Sequence, residues 1–255
     1  MKSPYPLNWI SILIWFVFFL TGCTTYQQAS TIADKSQAVG PEVNVEANSA
    51  AENVAAIIAP YQSELKAKME AVIGQVPETL TKDSPEGTLG NWMADMLQVA
   101  TVELFPDIEI AFSAQNSGGI RVPEIAAGPL LVGEIYELMP FDNELVVVEM
   151  NGFVLQEFIN HMAASDGWPV SKELRYVIAE KKAKDIRISG EPLQLNRNYF
   201  VGLSDYVAKG GSNAKKLADR AMTPSGRLIR DVLIEYTERS EEPVVAVLDG
   251  RVRAE

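Results

Sequence analysis

The chain reads as an α+β fold. Helical and strand-like stretches alternate without the regular strand–helix–strand beat of a doubly wound parallel sheet. One apolar run, residues 144–150 with Leu145, Val146, Val147 and Val148, is too continuous for a half-exposed strand and suits a buried one. Hydrophobic residues make up 47% of the 255, ample for a large core. No internal repeat is visible.

Taken in order, residues 53–73 carry Ile57, Ile58, Tyr61, Leu65, Met69, Val72 and Ile73 close to helical spacing, with Gly74 as the stop. Pro60 either kinks this helix or lies near its true start. Leu89-Gly90-Asn91 opens a second helix, whose buried stripe is Trp92, Met93, Met96, Leu97 and Ala100. Residues 108–112 read as a strand that runs into a glycine loop. Residues 130–138 form a short helix before Met139-Pro140-Phe141-Asp142-Asn143 and the buried strand. Asn151-Gly152 is a turn leading to a helix with Leu155, Phe158, Ile159 and Met162. Strands are expected at 175–179, 185–188 and 199–203, with a second glycine loop at Lys209-Gly210-Gly211-Ser212-Asn213. A helix over 227–238 buries Leu228, Val232, Leu233 and Tyr236, and 244–248 reads as the last strand.

Composition excludes several functions. A net charge of −12 argues against nucleic-acid polymers, which need clustered Lys and Arg, but not against a mononucleotide that one or two arginines can hold. The single cysteine, Cys23, excludes an intramolecular disulfide. The single histidine, His161, restricts metal and acid–base chemistry and reads as an ordinary surface or packing residue.

The N-terminus has the form of an export signal. Its apolar run, residues 9–20, is twelve residues long, short for a bilayer span. Leu20-Thr21-Gly22-Cys23 resembles the bacterial lipobox, which implies removal of residues 1–22 and lipid attachment at Cys23. The alternative is a single-pass anchor with an ordinary cysteine. Thr24 after the cysteine resembles lipoproteins destined for the outer membrane, facing the periplasm. Residues 23–52, rich in Ala, Ser, Thr, Gln and Asn, read as a flexible tether, leaving 53–255 as one folded domain.

The chemistry-bearing stretch is Asn116-Ser117-Gly118-Gly119-Ile120-Arg121. Two glycines let the backbone turn sharply and approach a ligand. Asn116 offers an amide, and Arg121 a planar fork of five donors with a fixed charge. The bland alternatives are an Asn116 that caps its own loop, an Arg121 paired with Asp142 or Glu124, and a Phe141 and Tyr206 that belong to the core.

Three ordered stretches together resemble the C-terminal domain of the 5'-nucleotidase family: Asn116-Ser117-Gly118-Gly119-Ile120-Arg121, Met139-Pro140-Phe141-Asp142-Asn143 and Asp205-Tyr206-Val207-Ala208-Lys209-Gly210-Gly211. Glu86-Gly87-Thr88-Leu89-Gly90-Asn91 is similar too, and the likeness runs from about residue 55 to residue 250. The resemblance implies a single layered domain with mixed sheets flanked by helices. It also implies a grip on the nucleoside part of a substrate, with the base sandwiched between Phe141 and Tyr206. By the same match Asn116 addresses the base edge, Arg121 reaches ribose hydroxyls or a phosphate, Asn143 completes the base pocket and Gly119 allows close backbone approach. Two positions depart from the family. Ser212 stands where an aspartate often accepts from ribose hydroxyls, and Thr88 and Asn91 occupy the neighbourhood of an arginine found in some members.

In the resembled hydrolases, a separate metallophosphatase domain holds two metals with several His, Asp and Asn ligands. One histidine cannot supply that set, so no catalytic residue, metal site or cofactor is expected in this chain. Divalent metals are expected in a partner metallophosphatase. Three readings follow: the substrate-binding half of a split 5'-nucleotidase acting in nucleotide catabolism, a free-standing nucleoside or nucleotide binder at the membrane, and a non-binding interaction module that keeps the fold.

Overall fold

A computed structural model describes residues 49–240 and 242–255; the expected signal peptide, Cys23 and most of the expected tether lie outside the described residues. The elements are α1 (Ser49–Met69), β1 (Val72–Val76), β2 (Leu80–Thr81), α2 (Thr88–Leu104), β3 (Ile110–Ser113), β4 (Glu124–Ile125), β5 (Gly128–Leu131), α3 (Val132–Leu138), β6 (Glu144–Asn151), α4 (Gly152–Ala164), β7 (Leu174–Ala179), β8 (Lys182–Ile188), β9 (Glu191–Pro192), β10 (Asn198–Ser204), α5 (Asp205–Ala208), β11 (Met222–Leu228), α6 (Ile229–Arg239) and β12 (Val252–Ala254).

The expected α+β class with mixed sheets is observed. One four-stranded sheet has the order β11-β6-β10-β3, with β6 antiparallel to both its neighbours and β3 parallel to β10. A second has the order β12-β7-β8-β9, and β1-β5 and β2-β4 are small antiparallel pairs. Strand β6 is the partition between two cores. Val146, Val148 and Met150 point into a cluster with Phe158 and Ile159 of α4, Val201 and Leu203 of β10, and Tyr176 and Ile186 of the second sheet. Leu145 faces a separate cluster with Leu89, Met93 and Leu97 of α2, Leu138 of α3, and Ile229 and Leu233 of α6. Side chains alternate across a strand, so a strand covered on both faces needs apolar residues at successive positions. That explains the continuous run in the sequence. Asn151 caps α4 by accepting a bond from the Val154 N–H at 3.0 Å.

Two expectations are corrected, and one point left open by the spacing is filled in. Val72 and Ile73 are not the end of the first helix but the start of β1, which pairs with β5; β-branched residues took the strand when a partner edge was available. Residues 244–248 are not a strand. They are tied by isolated bonds, Val244 N to Gln75 O at 2.7 Å and Asn91 Nδ2 to Val247 O at 2.9 Å, and no neighbour offers them a ladder. The last strand is β12 instead. The apolar stripe of α1 is exposed, with Ile57 at 67% and Tyr61 at 71%, and Pro60 lies within the helix.

The C-terminal segment is held by one buried cation. Arg251, 4% exposed at its side chain, donates to Asp95 of α2 at 2.8 and 3.1 Å, to Asp249 at 2.9 and 3.1 Å, and to the Val170 carbonyl at 3.0 Å. Burial pushes the Asp249 carboxyl up, but its hydrogen bond to Arg251 and that charge together hold it below the usual carboxylate range. Arg251→Ala leaves Asp95 and Asp249, 33% and 24% exposed at their side chains, without their cation, and is expected to lower the unfolding free energy by roughly 1–3 kcal/mol in urea titrations. Because the Asp249 carboxyl is lower in the folded than in the unfolded chain, its contribution is complete above about pH 4 and fades as the pH falls further. Asp249→Asn is therefore expected to flatten the loss of urea midpoint on acidification.

Candidate functional site

Strand register brings four chain segments to one end of the central sheet. Gly202 of β10 pairs with Ser113 of β3, Ser204 with Leu145 of β6, and Leu228 of β11 with Glu144. The loop after β3, the loop before β6, the turn after β10 and the first turn of α6 therefore converge there. Asp205 ties two of them by accepting from the Glu144 N–H at 3.0 Å, and Lys209 donates to the same carboxylate at 2.7 Å. That hydrogen bond, with the Asp205 charge, raises the Lys209 ammonium above its usual range.

The loop after β3 is pinned along its length. Gln115 N donates to Pro169 O at 2.9 Å, Arg121 N to Leu138 O at 2.9 Å and Lys82 Nζ to Ile120 O at 2.9 Å, while Ile120 is buried in the core. Asn116 is only 5% exposed, and its Oδ1 accepts from Gln115 Nε2 at 3.0 Å. Its Nδ2 is the atom left to address a ligand. A Cβ on Gly119 would stand 2.0 Å from Gln115 Nε2, so the buried Gln115 amide accounts for that glycine.

Arg121 is not paired with Asp142 or Glu124. Its Nη1 donates to Gly118 O at 3.3 Å, and its guanidinium carbon lies 5.9 Å from the centre of the Phe141 ring, at the reach of a cation–π contact. Asp142 is taken by Arg230, which binds its Oδ1 at 2.9 Å, donates to Phe141 O at 3.4 Å and stacks 4.4 Å over Tyr136. Phe141 is 38% exposed and Tyr206 47% exposed, so neither ring is in the core. Tyr206 lies over Gly211, where a Cβ would meet the ring at 2.6 Å. The Tyr206 hydroxyl accepts from the Ser212 N–H at 3.1 Å. Ser212 has φ +50° and Asn213 φ +63°, both left-handed, and the Ser212 carbonyl accepts from His161 Nε2 at 2.9 Å. Asn143, half-buried, gives its carbonyl to Ile229 N at 2.9 Å.

Arg121 and Phe141 are thus in mutual contact, Tyr206 and Ser212 likewise, and Asn116, Gly119 and Asn143 stand on the same end of the sheet. Sequence reasoning missed the supports: Gln115, Arg230 and His161. Only Arg230 left a signal, a cation next to the apolar stripe of the last helix. Among the described residues, no group of three or more His, Cys, Asp and Glu side chains is placed to hold a metal ion.

The model of the family described as "5'-nucleotidase, C-terminal domain" matches residues 68–219, and the chain belongs to that family. It is 24% identical over 200 residues to Protein UshA of Escherichia coli, covering 76% of this chain and 36% of that protein. It is 27% identical over 132 residues to the 5'-nucleotidase of Vibrio cholerae, covering 50% of this chain and 24% of that one. The crystal structure of a 5'-nucleotidase precursor from Thermus thermophilus superposes with a TM-score of 0.67 at 25% identity, over 80% of this chain and 43% of that one. The chain spans about a third of the length of the first two of these curated relatives or less.

The Gln115–Gly119 contact is testable by a mutant cycle. Gly119→Ala is expected to cost about 1–3 kcal/mol through overpacking, and Gln115→Ala in the same chain to restore part of it. Thermal denaturation of the single and double variants measures the coupling.

Proposed function

We propose that this chain binds the nucleoside part of a nucleotide between Phe141 and Tyr206 and serves as the substrate-binding half of a 5'-nucleotidase whose two-metal phosphatase half is a separate chain. The observation that supports it most is the pair of half-exposed rings at one end of a rigid sheet, with Arg121 beside one and Ser212 beside the other. Stacking on a base tolerates base identity. Asn116 Nδ2 addresses the base edge, Asn143 completes the pocket, and Arg121 reaches a ribose hydroxyl or a phosphate oxygen. Ser212 offers a neutral hydroxyl to the ribose, a contact weaker than a carboxylate would make. The lipobox-like sequence supports a lipid anchor at Cys23 in the outer membrane, facing the periplasm. The chemistry of hydrolysis, and its divalent metals, belong in this proposal to the partner.

Calorimetry with adenosine and AMP tests the binding step. Phe141→Ala and Tyr206→Ala are each expected to weaken both ligands by roughly 1–3 kcal/mol. Arg121→Ala is expected to weaken AMP more than adenosine if the guanidinium meets phosphate. Absence of binding to any nucleoside or nucleotide would leave the fold as an interaction module. Phosphatase activity is expected only when the chain is mixed with its metallophosphatase; binding without any gain on mixing would favour a free-standing scavenger.

A further inference from the structure

The loop that carries Tyr206 and Ser212 has a second side. A cleft of about 800 Å3 opens behind it, lined by His161 of α4, Lys181 and Lys182 at the β7–β8 turn, Lys215 and Lys216, and one carboxylate, Glu157. Such a volume is within the range of small-molecule sites. In a chain with a net charge of −12, four lysines and the only histidine around one concavity reverse the local sign of charge. Two of the lysines are neutralised: Lys216 by Glu157 at 2.6 Å, and Lys181 by Asp166. Lys182 and Lys215 have no carboxylate partner among the described residues.

We infer that this cleft is a binding site for a phosphate group, separate from the aromatic pair, with Lys182 and Lys215 neutralising the anion and the His161 ring at its wall. Two unpaired ammonium groups match the charge of a phosphate monoester or inorganic phosphate dianion, and lysine serves such anions as a point charge. The site shares a backbone with the other candidate site. His161 Nε2 donates to the Ser212 carbonyl, which fixes that proton on Nε2 and ties the wall of the cleft to the loop. The ring is held edge-on by Trp168, 5.5 Å between centroids. The charged groups that line the cleft with His161 are Glu157 of its own helix and the four lysines from two other segments. An anion held among them lies beside a ring that is itself bonded to the loop under Tyr206.

Because His161 is the only histidine, its ring resonances need no assignment. The full-length chain in detergent is titrated by NMR in potassium phosphate and in potassium chloride of equal ionic strength, and separately with phosphatidylglycerol vesicles in chloride. Phosphate, and not chloride, is expected to shift the His161 ring resonances in a saturable way. The double variant K182A/K215A, on exposed side chains, is expected to lose that shift while keeping its fold. A response to vesicles alone would assign the phosphate to a lipid headgroup, and a response to dissolved phosphate to a free ligand. An unchanged titration in both, or an equal shift in the double variant, would overturn the assignment. None of these outcomes depends on nucleoside binding.

Discussion

Burial of β6 on both faces is the constraint from which the architecture follows. A strand whose successive residues are all apolar must be covered twice, so the chain supplies α2, α3 and α6 on one side and α4 with the second sheet on the other. The ladder bonds of β6 to β10 and β11, and of β10 to β3, then bring the ends of these strands to one rim. The candidate site needs no ordering of its own at that rim, because its loops leave strands that cannot shift register without exposing a core face.

Buried and half-buried polar groups do the final positioning. Gln115 holds the Asn116 carboxamide, Arg230 holds both the Phe141 carbonyl and Asp142, and His161 holds the Ser212 carbonyl. The left-handed conformation of Ser212 carries an intrinsic penalty of about 1–2 kcal/mol. It is offset by the bond from its N–H to Tyr206 and the bond to its carbonyl from His161. The energetic investment around Tyr206 and Phe141 goes into rings that remain half open to solvent. Core residues are not treated this way: Phe141 and Tyr206 keep part of their ring surface in water while their backbones are fixed.

Much of the fold was legible in the amino-acid sequence because the signals were local or periodic. The stripe of α2, the buried run of β6, the Asn151 cap and the glycine loops each depend on neighbours within a few residues. The errors came where a distant partner decided. Val72 and Ile73 became strand because β5 offered an edge, and residues 244–248 stayed irregular because nothing did. The apolar stripe of α1 was read correctly as helical, but spacing carries no information about what covers it.

The same division holds for the site. By itself the sequence carried the three ordered motifs through which it resembles the family, and those motifs singled out Asn116, Arg121, Phe141 and Tyr206 as candidates. Only the tertiary structure decided that Arg121 lies beside Phe141 rather than pairing with Asp142, that Arg230 takes that carboxylate, and that His161 reaches the loop under Tyr206. These are contacts between residues 20 to 88 positions apart in the chain. Such contacts are selected by strand register and by competition among charges, and neither is written in the spacing of any one segment.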